Sequence, residues 1–222
     1  VFNSVYLIKV MGNLLTSLPK TIHASLVLAI ILFLGLFFIN GGFEFDTLFW
    51  SWLFRLVHVI VAIMWIGLLW YFNFVQIPNM PKIPDEQKPA IGKVIAPAAL
   101  FYFRWAALLT ILSGLILAYL NGYLHEAMTL GITSGGGKNT AIGIGMWLGL
   151  IMAFNVWFRI WPAQQQIITA IKNGEAPDGD LVALAGLRSK HNTYMSLPLP
   201  CFFWFWDPRP ISARTWKEPR QR

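Results

Sequence analysis

Phe49–Gln76 reads FWSWLFRLVHVIVAIMWIGLLWYFNFVQ. Arg55 is its only fixed charge, and His58 its only other ionisable group of the kind that titrates near neutrality. A helix needs roughly 20 mostly apolar residues to cross the hydrocarbon core of a bilayer, and this stretch is long enough to cross with tilt. No soluble core of ordinary size calls for so long an apolar run, so the stretch predicts a membrane-spanning helix.

Three similar stretches flank it. Ala24–Asn40 (ASLVLAIILFLGLFFIN) contains no ionisable residue, and Gly41-Gly42 breaks it before the acidic pair Glu44 and Asp46. Pro97–Leu120 starts on a proline, which suits a first helical turn, and stops at Asn121-Gly122. Ala141–Trp161 ends before Pro162. Between the second and third stretches, Pro78, Pro81, Pro84 and Pro89 are expected to stop the helix. Lys82, Asp85, Glu86, Lys88 and Lys93 put that linker in water.

Composition agrees. The chain has 222 residues, 56% hydrophobic and only 12% charged, where a soluble domain carries about 25%. Eleven tryptophans suit a headgroup-level belt. The net charge of +7 lies mostly outside the apolar stretches. It is read as topology control and contact with anionic lipid, with no nucleic-acid partner. A single cysteine, Cys201, excludes an internal disulfide and a cysteine metal cluster. Ser134-Gly135-Gly136-Gly137-Lys138 is followed by Asn139 and so is no phosphate-binding Walker loop.

The fold class that follows is an all-α integral membrane helical bundle of four spanning helices, plus a short re-entrant or interfacial apolar segment near the C-terminus. That segment is Tyr194–Trp206, interrupted by Pro198 and Pro200. A short helix is expected from Gly179 to His191. Residues 1–23 read as an N-terminal interfacial segment, 24–206 as the membrane helical domain and 207–222 as a basic tail. Lysine and arginine alternate between loops, with Lys9 and Lys20, then Lys82, Lys88 and Lys93, then Lys172, Arg188 and Lys190 on one side. The positive-inside rule places that side, and the N-terminus, in the cytoplasm.

Ionisable groups at membrane depth are costly, which makes each a functional candidate. These are Arg55, His58, Arg104 and Arg159, with no carboxylate in any span. His58 reads either as a heme ligand or proton carrier, or as a histidine bonded to a neighbouring helix carbonyl. Arg104, and Arg159 with Asn155 one turn away, read either as binders of a planar anion or as cations reaching for the headgroups. Gly145 and Gly149 form a small-xxx-small pair that admits a close helix. No metal-ligand cluster is visible.

Four blocks resemble the N-terminal membrane domain of bacterial membrane-bound urate oxidase (urate hydroxylase). They are RLVHVIVAIMWIGLLWYFNFVQIP (55–78), EQKPAIGKVIAPAALFYFRWAALLTILSGLILAYLNGY (86–123), GIGMWLGLIMAFNVWFRIWPAQQQII (143–168) and RSKHNTYMSLP (188–198). The resemblance implies a bacterial inner-membrane protein that oxidises urate to 5-hydroxyisourate. It points to His58, Arg104 and Asn155 as catalytic candidates, among matching positions that include Trp65, Asn73, Trp105, Trp157 and Asn192. A urate site on these residues requires Arg104 and His58 to face one internal cavity. The sequence holds no Cys-x-x-Cys-His, so no covalent c-type heme is expected, and the acceptor would be a separate cytochrome c. Resemblance is expected to stop after Pro198. The alternative from another class is a non-catalytic accessory subunit of a larger respiratory or photosynthetic membrane complex, partnered by other membrane subunits or by its own copies.

Overall fold

The computed structural model of the protein describes residues 12, 16–39, 41, 42, 44–133 and 137–199. The basic tail, the triple glycine at 135–137 save Gly137, and the part of the C-terminal apolar segment beyond Leu199 lie outside the described residues. Six helices are described: α1 Leu18–Ile39, α2 Thr47–Lys82, α3 Lys88–Leu120, α4 Leu124–Met128, α5 Lys138–Asn173 and α6 Gly179–Ser196. There is no strand among the described residues. Helices α1, α2, α3 and α5 are each long and apolar enough to cross a membrane.

Two compact units divide the chain between Phe49 and Trp50. In the first, α1 is apolar all round and has no buried residue. Its 22 residues reach about 33 Å, enough for a core of about 30 Å. It starts at Leu18 rather than at Ala24, because Pro19 is accepted in the first turn. The Asp46 carboxylate accepts the backbone N–H of Phe49 at 2.9 Å, which caps the start of α2.

In the second unit, α2, α3, α5 and α6 enclose one core. Trp65, Leu69 and Phe72 of α2 meet Leu100, Phe103 and Ala107 of α3 and Met152, Val156 and Ile160 of α5. Phe72 and Phe103 pack edge to face at 5.9 Å. The fully buried residues that this end of α6 contributes are polar, Asn192, Thr193 and Ser196, and Met195 packs partly buried beside them. The expected short helix is therefore longer, and it is a member of the bundle. The expected re-entrant segment begins inside it, since Tyr194, Met195 and Ser196 are helical.

The proline rule misplaces three boundaries. Pro78, Pro97 and Pro162 all lie inside continuous helical runs. A proline withholds one N–H and crowds the carbonyl four residues back. Those carbonyls belong to Phe74, Lys93 and Phe158. Each lies within a wide π-helical turn, Tyr71–Gln76, Ile91–Ile95 or Val156–Ile160. The wider turn makes room for the ring, and the helix continues. As a result α2 and α5 run 36 residues each, about 54 Å against a core of about 30 Å. A second small core, Ala163, Ile167 and Ala185, holds the ends of α5 and α6 together. Beyond α2, the Lys88 ammonium lies 2.6 Å from the Asp85 carboxylate and holds that carboxyl below its usual range.

At the opposite end, α4 closes tightly on α5. The Trp147 indole N–H donates to the Met128 carbonyl at 3.1 Å, and the Thr140 hydroxyl to the Leu130 carbonyl at 2.7 Å. Gly149 of the small-xxx-small pair faces Ile111 of α3, and Gly145 faces Leu199. Both glycines thus serve packing within the chain.

Candidate functional site

Helix α6 carries a polar stripe, Ser189, Asn192, Thr193 and Ser196, at the i, i+3, i+4, i+7 spacing of one helix face. Each residue is used. The Asn155 amide N–H donates to the Asn192 side-chain oxygen at 2.9 Å, and the Asn192 amide donates to the Met152 carbonyl at 3.0 Å. On the other flank the Trp70 indole N–H donates to the Ser196 hydroxyl at 2.9 Å, and the Asn73 amide to the Ser189 hydroxyl at 2.8 Å. These bonds fix α6 antiparallel to α2 and pin it between α2 and α5.

The register has a consequence one turn further on. Gln76 follows Asn73 on the inward stripe of α2, and Arg188 precedes Ser189 on α6. The Gln76 side-chain oxygen and the Arg188 Nε are both buried, and neither has a hydrogen-bond partner. A donor on α6 and an acceptor on α2 thus stand unpaired, the acceptor at the end of the wide turn Tyr71–Gln76. Buried polar groups are nearly always satisfied, so each is a candidate contact for a polar molecule. Wide π turns also recur at functional sites.

Arg104 stands on another flank, between α3 and α5. Its guanidinium carbon lies 3.8 Å from the ring centre of Trp161 and within 5.8 Å of those of Phe101, Trp105 and Trp157. The Trp157 indole donates to the Arg104 carbonyl at 3.1 Å. The Arg104 Nε is buried without a partner. Stacking on aromatic faces suits the planar guanidinium and tolerates its burial.

His58 lies elsewhere again. Its Nδ1 is 3.0 Å from the Thr110 carbonyl and 3.2 Å from the Ser113 hydroxyl. Since a carbonyl only accepts, Nδ1 carries the proton and Nε2 keeps its lone pair. The bond to a neighbouring helix carbonyl, one of the uses read from the sequence, is formed. Nε2 is also the atom an iron would need, and a Soret band lost in His58→Ala would assign a heme to it. The ring lies against Gly114, where an added Cβ would come 3.0 Å from Cε1. Gly114→Ala should therefore displace the imidazole and lower stability by about 1 kcal/mol, read as a shift of the unfolding midpoint in detergent. Near the same end, burial raises the Tyr123 phenol above its usual range, and the charge of Arg55 opposes the shift.

The three candidates His58, Arg104 and Asn155 accordingly have separate neighbours: α3 backbone, an aromatic cage, and Asn192. Asn155 points toward α6, whereas Trp157, two residues on, points toward Arg104. The requirement that His58 and Arg104 share one cavity is not met by these neighbours. Arg159 is exposed, as expected of a cation reaching for headgroups. Sequence reading missed Gln76 and Arg188, because the first looked like a span end and the second like a loop charge. The polar stripe of α6 was the available signal. No group of three or more His, Cys, Asp or Glu that would hold a metal occurs among the described residues.

A family model described as urate oxidase N-terminal matches residues 132–204. The matched segment includes the blocks at 143–168 and 188–198 and agrees with the resemblance drawn from them. It continues past Pro198, where the resemblance was expected to end. It supplies Asn155, Trp157, Trp161, Arg188 and Asn192. No curated protein and no solved structure matches the chain.

Proposed function

We propose that the chain is the membrane domain of a urate-oxidising enzyme, which takes urate to 5-hydroxyisourate and passes the electrons to a separate cytochrome c. The observation that carries this reading is the unpaired Arg188 Nε of α6, on the segment matched by the urate oxidase N-terminal family, together with the unpaired Gln76 oxygen of α2. Urate is a flat anion whose edge sets ring N–H groups beside carbonyl oxygens. Arg188 Nε would donate to an oxygen of that edge, and the Gln76 oxygen would accept from the adjacent N–H. Charge assistance makes the first of these bonds the stronger. Asn155, through Asn192, and Asn73, through Ser189, act as positioning residues for α6.

The reaction adds water oxygen at C5 of urate and releases two electrons and two protons. Two one-electron transfers to cytochrome c take up the electrons. Arg188 and Gln76 lie toward the end rich in Lys82, Lys93, Lys172 and Lys190, which the positive-inside rule assigns to the cytoplasm of a bacterial inner-membrane protein.

The test is urate consumption and cytochrome c reduction by the purified full chain in lipid nanodiscs. Arg188→Lys should lower kcat/KM for urate about tenfold to a hundredfold, the effect of one charge-assisted hydrogen bond, and Gln76→Leu about tenfold, the effect of a neutral one. Absence of turnover by the wild-type chain would remove the enzyme reading. Purification from native membranes with a fixed set of partner subunits would favour the accessory-subunit reading instead. Wild-type turnover with unaffected variants would move the site away from Arg188 and Gln76.

A further inference from the structure

On the face of α3 and α5 away from α6 runs an apolar groove of about 710 Å³, lined by Leu108, Ile111, Trp147, Leu150, Phe154 and Phe158 among others. Phe154 and Phe158 stack at 4.9 Å along its wall and are both more than half exposed. Trp157 also lines the groove, and the same indole forms one side of the cage around Arg104. The groove therefore ends at a cation. Phe101, Tyr102 and Trp105 beside Arg104 are all at least 40% exposed, so this flank faces the membrane.

No carboxylate among the described residues pairs with Arg104, and its Nε is buried and unpaired. A partly buried cation in an apolar wall is stabilised most by an anion brought to it. The guanidinium edge offers parallel donors of the kind that grip a phosphate. The face is already occupied by Trp161, so only the edge is left for a ligand.

From this juxtaposition we infer that Arg104 and the α3–α5 groove form a binding site for one anionic phospholipid, with the phosphodiester on the Arg104 edge and an acyl chain in the groove. Arg104 is then a lipid anchor and stands apart from the oxidation site. The groove supplies the part of the site that a free oxyanion cannot use, so a lipid should hold where soluble phosphate does not. Electroneutrality favours a lipid of net negative charge over a zwitterionic one. An uncharged ring on an isoprenoid tail would fill the groove and leave the cation unmatched.

The experiment uses the full chain in phosphatidylcholine nanodiscs with phosphatidylglycerol added at a few per cent, and counts retained lipid by native mass spectrometry. Wild-type chain should keep one phosphatidylglycerol. Arg104→Gln should lower its retention at least tenfold, while Arg159→Gln, at an exposed cation, should leave it unchanged. Phe154→Ala, which leaves Arg104 in place, should weaken retention severalfold. Inorganic phosphate at millimolar concentration should not displace the lipid. Equal retention by wild type and Arg104→Gln in monodisperse preparations would overturn the inference. So would displacement by inorganic phosphate, by a quinone or by urate, since each would show that another ligand owns the Arg104 edge.

Discussion

Gly143→Ala should be the most destabilising Gly→Ala change among the described glycines, with folded yield sharply reduced and the unfolding midpoint in detergent lowered. A Cβ on Gly143 would clash with the Ala127 carbonyl oxygen and lie 3.0 Å from its carbon and 3.1 Å from a Leu130 methyl. Two of these are backbone atoms and cannot rotate away. Helix α4 would have to lift off the start of α5, breaking the Trp147–Met128 and Thr140–Leu130 bonds that hold the corner. Overpacking of this kind costs about 1–3 kcal/mol, and the lost bonds add to it. Gly149→Ala is the control, since its Cβ would meet only a flexible Ile111 methyl at 3.6 Å. Equal midpoints for the two variants would show that α4 does not close on Gly143 as described.

Asn192→Leu should destabilise the bundle by about 1–2 kcal/mol, by orphaning a buried amide. Asn192 is fully buried and bonded on both sides, to Asn155 and to the Met152 carbonyl. The informative comparison is with Asn155→Leu and with the double variant. Removing both partners leaves no unpaired amide, so the double variant should recover much of the loss. On the proposed urate-oxidising reading, its turnover should stay low even so, because the bonds that hold α6 in place would be gone. Additive losses in stability would show that the two asparagines do not act as a pair.

Much of the bundle was legible because lipid imposes a simple code. The runs at Ala24–Asn40, Phe49–Gln76, Pro97–Leu120 and Ala141–Trp161 are each apolar over a membrane thickness, and the described residues of each are helical. Their ends were misread, because a proline was taken as a stop and wide turns leave no composition signal. Pro78, Pro97 and Pro162 each sit in mid-helix for that reason. Helix α6 was misjudged for a different reason. Hydrophobic periodicity finds helices whose inward stripe is apolar, and the inward stripe here is Ser189, Asn192, Thr193 and Ser196. Arg104 was singled out by its depth and by the resemblance, but its cage was not foreseeable, because it is built by residues of two helices, Phe101 and Trp105 of α3 with Trp157 and Trp161 of α5, whose pairing no sequence pattern gives. Gln76 and Arg188 became conspicuous only as buried atoms lacking partners.

The spans hold no Asp or Glu, so the Arg104 guanidinium has no acidic neighbour on the spanning helices. It rests instead against the rings of Trp161, Trp105, Trp157 and Phe101. The negative potential of a ring face carries no proton, so no change of pH can titrate it away. The protein can therefore keep this guanidinium at depth with no acid beside it, and the group stays available to anions that arrive from outside.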